Sequence, residues 1–314
     1  MSHLAALDIG SNSVKITLVN AGDPLYRVVS KISKVTSLGQ GFASGRLQAD
    51  AMKRTALAIA DEMAWLRSLT HDCRVVVAAT SAVRDAENGG EFLDMVAETA
   101  GLDSRPMLLS GDEEAEYTFS GAIGLFSSGV TVLNADPGGG STEIAVGDSD
   151  GALKAHCSFN AGAVRWMERY SLENAAPEGA CERCHADTTA LFGSFAANVP
   201  PGSHLSVSGG IPFCAACLAA GRIVTIGSPN YKVFSEDIRR SIELLAKLDV
   251  PERKKVPGMI PDRANVMLAA LIILQSLLDA FGLEYYIPNP FGLRHGILKA
   301  LDANRIKPQL TISQ

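Results

Sequence analysis

The chain has 314 residues, a formal net charge of −6 and 47% hydrophobic residues. This length predicts two domains with full-sized cores, and a charged fraction of 20% argues against extensive disorder. The acidic balance argues against nucleic-acid binding, which needs a footprint of Lys and Arg. The longest apolar run, 266–274, is too short for a membrane span. Since no leader-like segment is seen at the N-terminus, we expect a cytoplasmic protein with reduced cysteines.

Hydrophobic periodicity predicts alternating strands and helices along the chain. In the first half the predicted strands are 4–8, 13–19, 74–79 and 106–109, and the predicted helices are 51–69, 88–100 and 113–123. In the second half the predicted strands are 130–134, 141–146, 153–159, 205–208 and 285–287, and the predicted helices are 163–170, 180–195, 214–220, 235–246 and 263–281. Hairpins followed by strand–helix units indicate an α/β protein with mixed sheets.

An internal repeat is the most informative feature of the sequence. Residues 8–19 align without a gap with residues 136–147, and Asp, Gly, Ser and Ile coincide. Both copies lie where one predicted strand turns into the next. The repeat therefore predicts two similar domains, each opening with an Asp–Gly hairpin and facing the other across a cleft. The alternative is two unrelated tight hairpins, because Gly-Ser turns are common.

The residues of the two turns suit a phosphate site. Glycine lets successive backbone N–H groups approach one anion, and hydroxyl and amide side chains add donors. The candidate phosphate-binding residues of the turns are Gly10, Ser11, Asn12, Ser13, Gly138, Gly139, Gly140, Ser141 and Thr142. Carboxylates beside such turns can hold Mg²⁺, and the candidates are Asp8, Asp136 and Glu143. Neither turn is a Walker loop or a Rossmann fingerprint, because the required lysine or following helix is missing.

The motifs resemble those of the exopolyphosphatase and guanosine pentaphosphate phosphohydrolase family. Six segments resemble the family's motifs in the same order: 8–13, 79–88, 110–115, 136–143, 161–165 and 292–296. The resemblance implies an α/β fold of two actin-like, ribonuclease H-like domains around an interdomain cleft. Domain I is expected over 1–123, with a C-terminal helix 298–314 packing back on it, and domain II over 124–297. A homodimer and a dependence on Mg²⁺ or Mn²⁺ are implied as well.

The resemblance also implies the reaction and its residues. It implies hydrolysis of terminal phosphoanhydride bonds of inorganic polyphosphate, of the 5′ phosphate of guanosine pentaphosphate, or of both. Glu114 is then the general base, and Glu143 is a second catalytic carboxylate as well as a metal ligand. From the residues alone, Glu113 and Glu114 could equally be the ordinary acidic start of a helix.

Three cations are candidates for holding phosphate. Arg84 can bind two phosphate oxygens with its planar guanidinium, or it can form a salt bridge with Asp85 or Glu87. Lys15 lies on the same strand face as Ser13 by alternation, although it could also be a solvent-facing edge lysine. Arg294, in the last motif, is a further candidate to line the cleft.

Four residues depart from the family pattern and keep two other functions open. They are Pro137, Ile211, Asn289 and His295, and they bear on substrate preference. The first alternative is a polyphosphate or nucleotide sensor with little turnover. The second is a small-molecule kinase of the same superfold, although segment 208–211 is only a partial adenosine motif.

The cysteines form two C-x-x-C pairs, Cys181 with Cys184 and Cys214 with Cys217. Such pairs can hold structural zinc, but these two are spaced more widely than in a zinc ribbon. Both pairs fall on predicted helices, where cysteines three residues apart share one face. Core packing is therefore favoured over a zinc site or a redox pair.

Overall fold

The computed structural model describes residues 2–23, 26–42 and 45–313. The strands are β1 His3–Ile9, β2 Ser13–Asn20, β3 Val28–Val35, β4 Cys73–Ala79, β5 Met107–Leu108, β6 Thr131–Pro137, β7 Thr142–Asp148, β8 Leu153–Phe159, β9 His204–Ser208, β10 Val233–Phe234, β11 Tyr285–Asn289 and β12 Leu310–Ile312. The helices are α1 Ala49–Leu69, α2 Ser81–Arg84, α3 Gly89–Ala100, α4 Gly111–Ala122, α5 Ala163–Arg169, α6 Ala180–Gly193, α7 Gly210–Ala220, α8 Ser235–Leu245, α9 Val250–Arg253, α10 Met267–Phe281 and α11 Leu293–Asp302.

The described residues divide into two compact units. Unit 1 contains the chain up to Gly121 together with the segment from Leu293 onward, and unit 2 is Ala122–Gly292. In unit 1 the strand order is β12-β4-β1-β2-β3, with β5 beside β4. In unit 2 the order is β10-β11-β9-β6-β7-β8.

The two sheets share one pattern. In unit 1, β1, β2 and β3 form an antiparallel meander, and β4 runs parallel beside β1. In unit 2, β6, β7 and β8 form the same meander, and β9 runs parallel beside β6. The predicted α/β class with mixed sheets is therefore confirmed. The hairpin repeat in the sequence corresponds to the first two strands of each sheet.

The central strands of unit 1 are buried on both faces. Ala5 and Leu7 of β1 join the core on the α1 side, whereas Leu4 and Ala6 pack against Ile297 of α11 on the opposite side. A strand covered on both faces needs no polar alternation. This explains the continuous apolar run near the start of the sequence.

The core of unit 2 surrounds α10, which is buried along almost its whole length. Beside this core lies Arg253, which is fully buried. Its guanidinium donates to main-chain carbonyl oxygens of Leu172, Glu173, Asn174 and Leu245. A buried cation needs such partners, so Arg253 joins the turn after α5 to the end of α8.

The C-terminal segment differs from its prediction. A single helix over 298–314 was expected, but α11 ends at Asp302 and the chain continues as β12 beside β4. Pro308 has no N–H to donate, which disfavours a continuous helix here. That part of the prediction is wrong.

In the described ranges, no helix combines the length and apolarity needed to cross a bilayer.

Candidate functional site

Both repeated hairpins close in the same way. The N–H of Gly10 donates to the carbonyl of Ser13 at 3.1 Å, and the N–H of Gly138 donates to that of Ser141 at 2.8 Å. In each hairpin an Asp near the strand end lies directly opposite a charged residue seven positions later: Asp8 opposite Lys15, and Asp136 opposite Glu143. The predicted turn residues therefore lie together in two equivalent turns, one in each unit.

The first turn is held from one side by segment 36–39. Main-chain N–H groups of this segment donate to the carbonyls of Ser11 and Asn12 at 2.7–3.0 Å. A trans peptide points its N–H opposite to its carbonyl, so the N–H groups of Asn12 and Ser13 point away from the segment. The side chain of Asn12 is buried, and its Nδ2 has no hydrogen-bond partner among the described residues. These donors suit an anion.

The second turn is held in the same manner by the start of α5. The first N–H groups of α5 donate to the carbonyls of Gly138 and Gly139 at 2.8–3.2 Å, and Arg165 Nε donates to that of Gly140 at 2.9 Å. Three consecutive carbonyls are thus directed at α5. The next N–H groups, those of Gly139, Gly140 and Ser141, consequently point the opposite way. Segment 161–165, one of the six sequence motifs, therefore orients this turn.

This support depends on a close backbone approach at Gly162. A Cβ at this position would lie 2.4 Å from the carbonyl group of Gly139 and from the nitrogen of Gly140. The hydroxyl of Thr142 also donates to the carbonyl of Ala161. Because no side chain fits between the two segments, position 162 requires glycine.

Helix α4 separates the roles of its two adjacent glutamates. Glu113 forms a capping box with Ser110: its carboxylate accepts from the Ser110 N–H at 2.8 Å, and its own N–H donates to Ser110 Oγ at 3.1 Å. Glu114 is buried, and its Oε2 accepts from Arg84 Nη1 at 3.0 Å. The same Arg84 nitrogen donates to the carbonyl of Leu109 at 3.0 Å. Glu113 is thus used by the helix cap, and Glu114 is the carboxylate that Arg84 holds.

Helix α2 connects the first turn with Glu114. Its first residue, Ser81, lies 3.2 Å from Ser11 of the turn, measured between the two hydroxyl oxygens. Its last residue, Arg84, binds Glu114 and lies 3.8 Å from Asp85 through Nε. The predicted salt bridge to Asp85 is therefore present together with the contact to Glu114. Within unit 1 an unbroken series of contacts leads from the turn to the carboxylate.

Asp8, a predicted metal ligand, lies between two cations. Its Oδ2 is 3.7 Å from Lys15 Nζ and 3.8 Å from Arg294 Nη1. Arg294, at the start of α11, also donates from Nε to Thr17 Oγ1 at 2.8 Å. The structure therefore brings together two of the three candidate cations at the first hairpin.

Asp136 and Glu143 form a pair of a different kind. They are directly opposite each other on β6 and β7, and Glu143 also accepts from Ser158 Oγ at 2.8 Å. Like charges directly opposite repel, and a divalent cation would relieve this repulsion. Among the described residues no group of three or more His, Cys, Asp or Glu is placed to hold a metal. Two carboxylates completed by substrate oxygens and water still fit Mg²⁺, which is commonly bound in this way.

The C-x-x-C cysteines lie on α6 and α7 as thiols rather than disulfides. Cys184 and Cys214 belong to the core of unit 2, and Cys181 packs against it. Burial raises the pKa of Cys184 to about 12 and also raises the pKa of Cys181. Thiols of such high pKa stay protonated near neutral pH and are therefore poor nucleophiles.

Comparison with known proteins identifies the family. The sequence profile of the Ppx/GppA phosphatase family matches residues 16–303. The chain belongs to this family. Its fold is therefore the predicted actin-like one, and a solved structure of the Aquifex aeolicus Ppx/GppA family member agrees. That structure has a TM-score of 0.77 and 24% identity, and the match covers 97% of this chain and 98% of that one.

Two mycobacterial relatives differ in how much of their length is matched. Exopolyphosphatase 2 of Mycobacterium tuberculosis is 38% identical over 178 residues, which are 54% of this chain and 55% of that protein. The match thus spans about half the length of this relative. Exopolyphosphatase 1 of Mycobacterium tuberculosis is 26% identical over 311 residues, which are 96% of this chain and 89% of that protein.

Two departures from the Ppx/GppA pattern are explained by packing in unit 2. The side-chain amide of Asn289 donates to the carbonyl of Ala122 and to Ser206 Oγ, both at 2.9 Å, and its Oδ1 accepts from the N–H of Phe291. Ile211 is buried in the core of the unit. Both residues therefore stabilise the unit that carries the second turn.

The other two departures leave the turns intact. Pro137 ends β6, and the outward-pointing N–H groups belong to residues 139–141, so this proline removes none of them. His295 is buried on α11 in unit 1.

Of the site features, the role of segment 36–39 was missed by sequence reasoning, because it lies more than twenty residues from the turn that it holds.

Proposed function

We propose that this chain hydrolyses the terminal phosphoanhydride bonds of inorganic polyphosphate. The observation that carries the proposal is the series of contacts in unit 1 from Ser11 of the first turn through α2 to Glu114. It provides an anion-binding turn and a fixed carboxylate in one unit. Membership of the Ppx/GppA phosphatase family and the exopolyphosphatase relatives support the reaction class.

In this proposal Glu114 takes a proton from the attacking water. Arg84 holds the carboxylate at 3.0 Å, so that its orientation is fixed before substrate arrives. Phosphoryl transfer requires positioning and charge neutralisation more than covalent chemistry. The N–H groups of both turns, together with Lys15 and Arg84, are assigned to holding phosphate oxygens.

A divalent cation, Mg²⁺ or Mn²⁺, is assigned to Asp136 and Glu143. When bound, it would neutralise charge on the phosphate oxygens. Asp8 was also predicted as a metal ligand. Its Oδ2 is flanked by Lys15 and Arg294, so its role as a ligand stays a prediction. The homodimer and the cytoplasmic location likewise remain predictions.

Phosphate release from polyphosphate and from guanosine pentaphosphate, measured side by side with Mg²⁺, tests the proposal. We expect release by the wild type and a loss of roughly 10²- to 10⁴-fold in Glu114→Gln, since general base catalysis has this magnitude. Faster release from guanosine pentaphosphate than from polyphosphate would identify guanosine pentaphosphate as the preferred substrate.

Glu113→Gln is the matched control. It changes the neighbouring carboxylate, which belongs to the helix cap, so it should keep its activity and lose roughly 1 kcal/mol of stability at most. Equal activity of Glu114→Gln and wild type would contradict the assigned base. Tight polyphosphate binding without any release would favour the sensor, and phosphoryl transfer from ATP to a small acceptor would favour the kinase.

A further inference from the structure

A row of polar side chains crosses one face of the sheet in unit 1. Lys15 and Thr17 are two residues apart on β2 and so share a face. Asp8 of β1 lies directly opposite Lys15, and Lys31 of β3 lies directly opposite Thr17. Residues that are directly opposite in antiparallel strands point to the same side of the sheet. The row therefore starts beside the first turn and ends on β3, the outermost strand.

Helix α11 adds a cation to this row. Arg294 Nε donates to Thr17 Oγ1 at 2.8 Å, and Nη1 lies 3.8 Å from Asp8 Oδ2. The guanidinium is thus held at the centre of the row. With Lys15 on one side and Lys31 on the other, the row carries three cations, and Lys15 Nζ and Arg294 Nη1 lie 3.7 and 3.8 Å from the Asp8 carboxylate.

Lys31 contributes an exposed positive charge near α11. Its side chain forms no ion pair with any residue in the described part of the chain. Burial is the main cause of the lowered pKa of His295, and the positive charges of Arg294, Lys299 and Lys31 lower it further. The end of the row is therefore a region of excess positive charge in a protein of net charge −6.

The second lysine of β3 provides a contrast. Lys34 is three residues later and faces α1, where its Nζ lies 3.4 Å from Asp61 and 3.3 Å from Glu62. The strand therefore carries one lysine that is neutralised by two carboxylates and one that is not. A lysine that no carboxylate of the described residues neutralises attracts negative charge.

We propose that Lys15, Arg294 and Lys31 form a track for a linear chain of phosphate groups whose terminal group lies at the first turn. The track rests on the proposed function for its substrate class. It leads from the turn across β2 to β3, the last strand of this sheet among the described residues, where Lys31 is exposed. A long chain can therefore continue into solvent. Its effect should grow with the length of the chain.

Polyphosphate binding to Lys31→Gln tests the track, with Lys34→Gln as the matched control on the opposite face. Both changes are made in a Glu114→Gln background, in which turnover is suppressed, and the probes are long-chain polyphosphate and pyrophosphate. For the long chain, Lys31→Gln should raise Kd about three- to tenfold. It should also reduce the slope of log Kd against log salt concentration by the amount expected for about one phosphate contact. Lys34→Gln should leave both unchanged, and pyrophosphate affinity should be equal in all variants. With Glu114 restored, Lys31→Gln should raise KM for the long chain without changing kcat.

The outcomes separate the track from the proposed function. Equal Kd and salt slope in Lys31→Gln and Lys34→Gln, with phosphate release intact, would overturn the track alone. Binding that depends on Lys31 without any phosphate release would retain the track and overturn the proposed function. Failure of the Glu114→Gln protein to bind polyphosphate would overturn the track as well. Lys31→Glu provides a second variant, because charge reversal should enlarge each expected effect in the same direction.

Discussion

His295 is a buried imidazole in a cationic surrounding. Burial, followed by the charges of Arg294 and Lys299 on α11 and of Lys31 on β3, lowers its pKa from 6.5 to about 3. An unfolded chain takes up a proton on this residue near pH 6.5, whereas the folded chain keeps the imidazole neutral down to about pH 3. The stability that depends on the neutral form is therefore complete above pH 6.5 and is lost as the pH falls through this window.

His295→Gln should reduce this pH dependence, because the amide does not titrate. Over the full window the group accounts for at most about 4–5 kcal/mol of the wild type's loss of stability. Urea unfolding of both proteins at pH 7, 5.5 and 4.5 gives the free energy of unfolding at each pH. The test compares the slope of this free energy against pH between the two proteins. Parallel slopes would contradict the lowered pKa, whatever the offset at pH 7.

At the scale of elements, the contact between α5 and the second turn should control substrate affinity. Gly162→Ala places a Cβ 2.4 Å from the backbone of Gly139 and Gly140, so the turn must move. A displacement of about 1 Å in a binding element can cost roughly 10²-fold in rate. We expect a rise in KM of about tenfold or more, measured by phosphate release at varied polyphosphate concentration.

Gly193→Ala is the control for this change. Gly193 is the last residue of α6, and a Cβ there would meet nothing within 4 Å. Alanine should be neutral or stabilise the helix by up to about 1 kcal/mol. If Gly162→Ala had the same KM as Gly193→Ala, the support of the turn by α5 would not matter for binding.

At the scale of the whole molecule, the sequence predicted the features that depend on residues close along the chain. The repeat at 8–19 and 136–147 identified two equivalent hairpins, and each opens a sheet of the same pattern. Helical periodicity located α1 and α10. The Ser110–Glu113 spacing also fits a capping box, a local pattern that distinguishes Glu113 from Glu114 in the structure but that the sequence prediction did not include.

Features that depend on distant contacts were missed. Strand β3 alternates exposed with half-buried residues and carries serine and lysine on both faces, so its sequence contains only a weak strand signal. The chain after α11 becomes a strand because Gln309 binds β4. Its main-chain N–H donates to the Val75 carbonyl, and its side-chain Oε1 accepts from the Val77 N–H. Similarly, segment 36–39 reaches the first turn through backbone atoms, which carry no sequence pattern.

The two hairpins differ in charge at one equivalent position, and this difference predicts different functions for them. Lys15 lies opposite Asp8 in unit 1, whereas Glu143 lies opposite Asp136 in unit 2. In unit 1 the charge of Asp8 is offset by both Lys15 and Arg294, which leaves the hairpin suited to an anion, whereas the two carboxylates in unit 2 suit a divalent cation. Chelation of divalent ions should therefore abolish phosphate release, and added Mg²⁺ or Mn²⁺ should restore it.

Glu143→Gln and Lys15→Gln should then affect different ligands. Glu143→Gln should raise the Mg²⁺ concentration for half-maximal activity about tenfold or more, since the two carboxylates share the ion's charge. Lys15→Gln should raise KM for polyphosphate and leave the Mg²⁺ requirement unchanged. Titrations of Mg²⁺ at fixed substrate, and of substrate at saturating Mg²⁺, separate the two effects. Equal shifts of the Mg²⁺ requirement in both variants would mean that the repeat has kept one role in both units, because the charge at this position would then not decide which ligand the hairpin binds.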